Sequence, residues 1–281
     1  MARIKLALTG NEAGAWAFRH SRPDAAAAFP ITPQTEMMHK FAEFVADGDV
    51  DTELVLVESE HSAMSATVGM SAAGARAFTA TAANGLALMW EIVYIAASTR
   101  LPIVMAVVNR ALSAPINIHG DHSDSMGARD TGWIQVYAEN SQEVYDNILQ
   151  AFKIAEDKRV LTPMMVSLDA FILSHTTEVV EILDEKEALD FVGEEREPHF
   201  SLLNIDKPVT VGPLDLTDYY MEHKRQQIEA MFNVPKIIKD VGKAYGDLTG
   251  RYYDLFHPYK CDDADVVLVA AGSTAGTTRI A

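Results

Sequence analysis

FPITPQT, Phe29 to Thr35, and VESEHSA, Val57 to Ala63, are the two runs on which the reading of this chain turns. Each follows a short apolar segment, Ala25 to Phe29 and Leu54 to Val57, that reads as a strand, and each leads into a helical pattern. The first holds a Pro-Ile-Thr-Pro turn, with Pro33 near the first turn of the next helix, where its missing N–H costs little. The second carries Glu58 and Glu60 across a strand-to-helix turn. Repeated alternation of this kind is the signature of an α/β fold with a mostly parallel sheet and helices on both faces. In such a sheet ligands bind beyond the carboxyl ends of the strands. Both runs are therefore expected on one functional edge.

The alternation extends from residue 1 to about 175. Ile4 to Leu8 is expected to be a first buried strand, with Asn11 capping a helix through Ala17 to His20. Met37, Met38, Phe41 and Phe44 recur at helical spacing and predict a core face. His61 to Ala73 is a helix of small residues, suited to close packing on a sheet or another subunit. Further strands are expected at Phe78 to Ala80, Ile103 to Val108, Trp133 to Tyr137 and Met164 to Leu168, with helices at Leu86 to Ala97 and from Ser141 to about Glu156. The unbroken apolar run Ile103 to Val108 is the pattern of a strand buried on both faces. Asn109 to Thr131 is polar, contains glycine and is long for a loop, a combination that tends to be functional.

The composition changes beyond residue 175. Glu178, Glu181, Asp184, Glu185, Glu187, Asp190, Glu194, Glu195 and Glu197 face only Lys186 and Arg196, which reads as a solvated connecting segment. A long helix is expected within Asp218 to Tyr245, with Pro235 as a bend or break. Asp265 to Ala270 reads as a new strand running into AAGSTAGTTR. A strand, a Gly-rich turn and a helix start are an unusual place to end a domain, so a fragment, or a domain completed by another chain, is expected. The resulting division is a domain at 1–175, a connecting segment at 176–262 and the start of a further domain at 263–281.

Composition narrows the function. The chain has 281 residues, 48% of them hydrophobic, enough for a sizeable core. A formal net charge of -17 argues against nucleic acid or an anionic membrane surface as partner, since both require clustered Lys and Arg. The single cysteine, Cys261, can build neither a disulfide framework nor an iron–sulfur ligand set and fits a cytoplasmic compartment. No signal peptide is evident, and Ile103 to Val108 is far too short to span a bilayer.

Four constellations are candidates for chemistry. GSTAG, Gly272 to Gly276, offers backbone N–H groups that suit a phosphate, but it is neither GxGxxG nor a P-loop, and a tight turn explains it as well. HGDHSD holds His119, Asp121, His122 and Asp124, all metal-ligand types. Their spacing matches no common site, so no metal is expected and a structural or subunit-contact role is favoured. Cys261 lacks the setting of a nucleophile. Glu60 and Arg110 each lie just beyond a strand, where a carboxylate and a guanidinium suit a substrate bearing its own carboxylate, the alternative being a plain salt bridge between them.

Three separated runs in order, FPITPQT, VESEHSAMSATVGMSAAGARAFTATAANGLALM and VVNRALSAPINIHGDHSDSMGARDTGWIQVYAENSQEVYDN, resemble the α subunit of the 2-oxoacid:ferredoxin oxidoreductases, most closely the pyruvate type. The resemblance covers essentially the whole chain, and VVLVAAGSTAGT resembles the start of that subunit's transketolase C-terminal-like domain. It implies a thiamine diphosphate-binding fold of the pyrimidine type. The GDG motif that holds Mg²⁺ and the diphosphate is absent here and is implied on another subunit, with iron–sulfur clusters also on partner subunits. The implied reaction is oxidative decarboxylation of a 2-oxoacid, pyruvate first, to acyl-coenzyme A and CO2, with electrons passing to ferredoxin. Alternatives are 2-oxoisovalerate, 2-oxoglutarate, an aryl-glyoxylate or oxalate, or a non-catalytic assembly module of such a complex.

Carried over residue by residue, the resemblance makes Glu60 the carboxylate at the aminopyrimidine ring, supporting acid–base catalysis through the cofactor. It places Thr32 and Arg110 at the substrate, and Pro30, Ile31 and Gly85 with Glu60 at the cofactor. Where the family often carries Thr-Ser-Ser-Gln-Gly, this chain has Thr81, Ala82, Ala83, Asn84 and Gly85, without the two serine hydroxyls.

Overall fold

A computed structural model describes residues 3–194 and 197–281; Glu195 and Arg196 of the acidic run lie outside the described residues. The elements follow in chain order. β1 (Ile4–Thr9), α1 (Gly10–Ser21), β2 (Ala25–Ala28), α2 (Thr35–Ala46), β3 (Glu53–Leu56) and α3 (Glu60–Ala72) come first. Then come β4 (Ala77–Thr81), α4 (Ala83–Leu88), α5 (Trp90–Ser98), β5 (Val104–Asn109), α6 (Ser123–Gly127), a 3-10 turn (Ala128–Asp130), β6 (Ile134–Tyr137) and α7 (Ser141–Ala155). β7 (Met164–Asp169), β8 (Thr177–Ile182), α8 (Glu185–Val192), α9 (Tyr220–Thr249) and α10 (Ser273–Ile280) complete the chain.

Six strands form one sheet in the order β3-β2-β4-β5-β7-β6, and every pairing in it is parallel. The α/β expectation is met. β5 shows how the sequence pattern becomes two cores. Its side chains alternate across the sheet, sending Val104, Ala106 and Val108 to one face and Met105 and Val107, with Ile103 just before them, to the other. On the first face Phe18 of α1 stacks on Phe78 of β4 at 3.9 Å between ring centroids, and Phe41 of α2 meets the same ring edge-on. Met37, Met38, Phe41 and Phe44 are all buried there, as their spacing predicted. The second face is covered by α3, α4 and α5 through Met64, Leu86, Met89 and Val93.

Several local expectations are revised. β1 does not join the main sheet; it pairs antiparallel with β8, and of its residues only Leu8 is buried. The helix it leads into is capped by Thr9, whose hydroxyl accepts from the Glu12 N–H while Glu12 returns a bond to the Thr9 N–H. This reciprocal box satisfies two otherwise orphaned donors, and it frees Asn11 for a different contact. The acidic run does not form a solvated tether. Its β8 pairs with β1, and α8 buries Ala188, Leu189, Phe191 and Val192 while its carboxylates point outward. α9 runs through Pro235 without ending. Asp265 to Ala270 forms no strand; Val266, Leu268 and Val269 are exposed, because a strand requires a neighbour to satisfy its ladder.

Candidate active site

The strand order does most of the assembly. β3, β2, β4 and β5 are successive neighbours, and their carboxyl ends lead directly to Glu60, to Pro30–Thr32, to Gly85 and to Arg110. All six residues singled out in the sequence therefore share one edge of the sheet.

Glu60 is the first residue of α3, behind the N-cap Ser59, whose hydroxyl accepts from the Ser62 N–H. It is only 8% exposed, and among the described residues its carboxylate has no hydrogen-bond partner. The carboxylate oxygens are not among the fully buried atoms without a partner, so they remain open to solvent or to a ligand. Gly85 lies against it. A Cβ at Gly85 would stand 2.9 Å from both Cγ and Oε1 of Glu60 and would also strike the Thr81 hydroxyl. The absence of a side chain lets Glu60 and Thr81 pack closely against the turn. Glu58, two residues earlier, is exposed.

Arg110 is equally buried, at 8% exposure, and its Nε has no acceptor. Arg110 and Glu60 form no ion pair with each other, so the salt-bridge alternative does not hold among the described residues. The Thr81 hydroxyl and the Asn109 side-chain oxygen are further buried polar atoms without a partner. Native structures leave few such groups open; of the nine among the described residues, these three lie at the ends of β4 and β5.

The β2 loop is held differently. The Gln34 N–H donates to the Ile31 carbonyl at 2.8 Å, and Asn11, released from capping, donates from its buried amide to the Pro33 carbonyl at 2.9 Å. Thr32 and Pro30 are exposed at the tip and Ile31 is half-buried. No contact given for Thr32 reaches Glu60 or Arg110.

Sequence reasoning missed Asp124. It was grouped with His119, Asp121 and His122 as metal-ligand types, but the four turn to different tasks, and no group of three potential ligands converges among the described residues. Asp121 accepts from the Ser123 N–H. His119 packs near the Phe171 ring. His122 Nε2 meets Asp169 Oδ1 at 2.6 Å. Asp124 is 2% exposed and turns into the protein. Its Oδ2 accepts from the N–H groups of Ala83 at 3.0 Å and Arg110 at 3.2 Å, and its Oδ1 from the Asn109 amide at 2.8 Å and the Ser125 N–H at 2.7 Å. Burial pushes its carboxyl above the usual range, against the pull of those donors. Ala83, one of the residues it grips, has φ +36°, a left-handed conformation that costs a non-glycine residue about 1–3 kcal/mol. The only sequence signal for Asp124 was its place in a long polar loop.

The Gly-rich turn before α10 is also engaged. The Asp169 carboxylate, at the end of β7, accepts from the Ser273 N–H at 2.9 Å and from the Ser273 hydroxyl. A Cβ at Gly120 or Gly272 would press on the same carboxylate. Burial pushes Asp169 up, but the bonds from His122 and Ser273 outweigh it and hold its carboxyl below the usual range. The bond to Asp169 raises His122 correspondingly.

With this geometry in view, the comparisons with known proteins define the class. Residues 17–243 match the family model described as pyruvate flavodoxin/ferredoxin oxidoreductase, thiamine diphosphate-binding. The chain belongs to this family and is an α subunit of a 2-oxoacid:ferredoxin oxidoreductase of the pyruvate synthase type. It is 59% identical over 275 residues to pyruvate synthase subunit PorA of Thermotoga maritima, covering 98% of this chain and 70% of that one. To the same subunit of Methanocaldococcus jannaschii it is 51% identical, covering 99% and 72%. The ketoisovalerate oxidoreductase subunit VorA of Pyrococcus abyssi is 47% identical, covering 98% and 70%. The fold is that of the 2-oxoglutarate:ferredoxin oxidoreductase of Magnetococcus marinus, with a TM-score of 0.69 at 19% identity; the match covers 83% of this chain and 45% of that one.

The residues present fit one half of thiamine diphosphate. An unpaired buried carboxylate beside a side-chain-free Gly85 suits a nitrogen-bearing ring. No helix among the described residues is long and apolar enough to cross a membrane.

Proposed function

We propose that this chain supplies the pyrimidine side of a thiamine diphosphate site and the carboxylate anchor for pyruvate. The observation that carries this reading is the unpartnered carboxylate of the largely buried Glu60, held close against Gly85 at the edge that also presents Arg110. When bound, thiamine diphosphate supplies the nucleophilic carbon and electron sink for decarboxylation. Glu60 holds and moves a proton at a nitrogen of the aminopyrimidine ring. Arg110 pairs its open Nε and the rest of its guanidinium with the 2-oxoacid carboxylate. Thr32, at the exposed tip of the β2 loop, donates its hydroxyl to the substrate, and Pro30, Ile31 and Gly85 line the cofactor ring.

In this reading residues 1–175 are the pyrimidine-binding-type domain. Residues 176–262 are the connecting segment, whose β8 and α8 fold back onto that domain, and 263–281 begin a transketolase C-terminal-like domain. Mg²⁺, the diphosphate and the iron–sulfur clusters are held by partner subunits, and coenzyme A and ferredoxin complete the reaction. The complex works in the cytoplasm. Pyruvate is favoured over 2-oxoisovalerate because the relatives at 51–59% identity are pyruvate synthase subunits, while subunits of both kinds occur at 46–47%.

The test is exchange of the cofactor's reactive C2 proton with deuterated solvent in the assembled complex. Glu60→Gln should slow it, and unchanged exchange would remove Glu60 from this role. A steady-state comparison of 2-oxoacids with coenzyme A and a one-electron acceptor checks the substrate; a higher kcat/KM for 2-oxoisovalerate than for pyruvate would reassign it.

A further inference from the structure

Two of the elements that meet at this edge are joined by one buried side chain in addition to the β4–β5 ladder and the exposed Ser113–Asn84 bonds. The turn at Ala83 leads into α4 and brings Gly85 against Glu60, while the end of β5 delivers Arg110. Beyond the last ladder pair their backbones meet at Oδ2 of Asp124, which accepts from the N–H of both Ala83 and Arg110. Its other oxygen accepts from the Asn109 amide, the residue immediately before Arg110. Ser125 then fastens the far side, its hydroxyl accepting from the Asn109 amide at 3.0 Å and from the Tyr137 hydroxyl at 3.0 Å, and its carbonyl from the Gln135 amide at 2.9 Å. Ala83 sits in the left-handed region with no glycine to make it easy, and the bond to Asp124 holds its N–H there.

We propose that Asp124 is a positioning residue of this site: a buried carboxylate that, beyond the β4–β5 ladder, holds the turn carrying Gly85 against the end of β5 carrying Arg110. It touches neither substrate nor cofactor in this assignment and acts through the two backbones it grips. The proposal rests on the roles given above to Glu60 and Arg110. An amide in its place offers one acceptor oxygen where two are used, and turns an NH2 toward N–H donors that need an acceptor. Either the Ala83–Arg110 pair or the Asn109–Ser125 pair must then be abandoned.

The reciprocal exchange gives a sharp test. In Asn109→Asp/Asp124→Asn the amide at 124 can turn its oxygen to Ala83 and Arg110 and its NH2 to the new carboxylate at 109. Amide hydrogen exchange and steady-state kinetics are measured on the assembled complex for the wild type, Asp124→Asn, the double variant and Arg110→Ala. In Asp124→Asn, exchange at the Ala83 and Arg110 segments should accelerate together, by about tenfold or more, with β5 and β7 unchanged. KM for pyruvate should rise by a similar factor and KM for coenzyme A should stay within about twofold. The double variant should recover most of both changes. Unchanged protection at either segment, or no recovery in the double variant, overturns the proposal. If neither variant assembles, Asp124 is a folding residue and the positioning role falls. Arg110→Ala separates this from the substrate assignment. A normal pyruvate KM there refutes the role of Arg110, while joint loss of protection in Asp124→Asn still supports the clamp.

Discussion

Two buried carboxylates in this chain are treated in opposite ways. Asp146, on α7, is fully buried and surrounded by donors. The hydroxyls of Tyr245 and Tyr253 reach it at 2.6 Å each, Arg251 gives it bonds from Nε at 2.6 Å and Nη2 at 3.0 Å, and the Gln142 amide adds one at 3.0 Å. The pair with Asp146 outweighs the desolvation of Arg251 and raises its pKa, while burial and the same charge raise those of both tyrosines. Glu60 is buried almost as deeply and has no donor among the described residues. The first arrangement fastens the end of α9 and the irregular segment after it to α7. The second stabilises nothing within the chain. A buried charge that is completely paired is architecture, and one left open among other open groups is a site awaiting its partner.

The contrast predicts which property each substitution will damage. Glu60→Gln should lower kcat/KM of the assembled complex by about 10²–10⁴-fold, the usual loss when acid–base assistance is removed. Its thermal midpoint should stay near the wild type, because no protein bond is lost. Glu58→Gln, at an exposed position of the same turn, should retain most activity; equal losses in the two would place the carboxylate wrongly. Asp146→Ala should do the reverse. It leaves the Tyr245 and Tyr253 hydroxyls without their acceptor and Arg251 with Glu181 alone, at a cost of about 1–3 kcal/mol for each buried donor left open, and should lower the denaturant midpoint while the folded fraction keeps its KM values. A kinetic defect without a stability loss would erase the distinction between the two carboxylates. Arg110→Ala is intermediate. Losing a charged hydrogen bond worth about 1.5–3 kcal/mol should reduce kcat/KM for pyruvate by roughly 10–100-fold, with cofactor affinity retained, as titration of thiamine diphosphate into the complex would show.

The smallest effect belongs to His122 and Asp169, which combine both characters by pairing at the site's edge. His122 is raised from its ordinary 6.5 by its bond to Asp169, so its charge contribution is fully present below that value and fades as pH rises through the raised one. Asp169 is lowered, so its contribution is present above the ordinary carboxylate range and is lost as pH falls through the depressed value. His122→Gln should therefore lower the thermal midpoint most between about pH 4 and pH 6.5 and much less at about pH 9, by about 1 kcal/mol for a pair whose imidazole is partly exposed. A constant difference across that range would show that the imidazole charge contributes nothing.

The sheet and the edge were legible because they depend on short-range pattern. Apolar runs between turn residues mark parallel strands, and Glu60 and Arg110 follow such runs directly. What was not legible depends on partners distant in the chain. Asp146 looks like any helical aspartate, and the residues that enclose it lie 99 to 107 positions away. Asp124 sits among polar neighbours of metal-ligand type whose spacing fits no common site, and only the folded loop shows that it alone turns inward to two backbones. β1 reads as buried because Ile4 to Leu8 is mostly apolar, yet pairing with β8, not hydropathy, determines where it lies.

The first turn of α10 carries a consequence for electrostatic selectivity. The positive end of a helix with exposed N–H groups attracts anions indiscriminately, and a Gly-rich turn at an active edge would compete with the proper diphosphate site for the same ligand. Here Asp169 occupies that end, so the turn is discharged before any ligand arrives. Under the function proposed above, an anionic group approaching this end of the edge would meet the Asp169 carboxylate and not bare N–H groups.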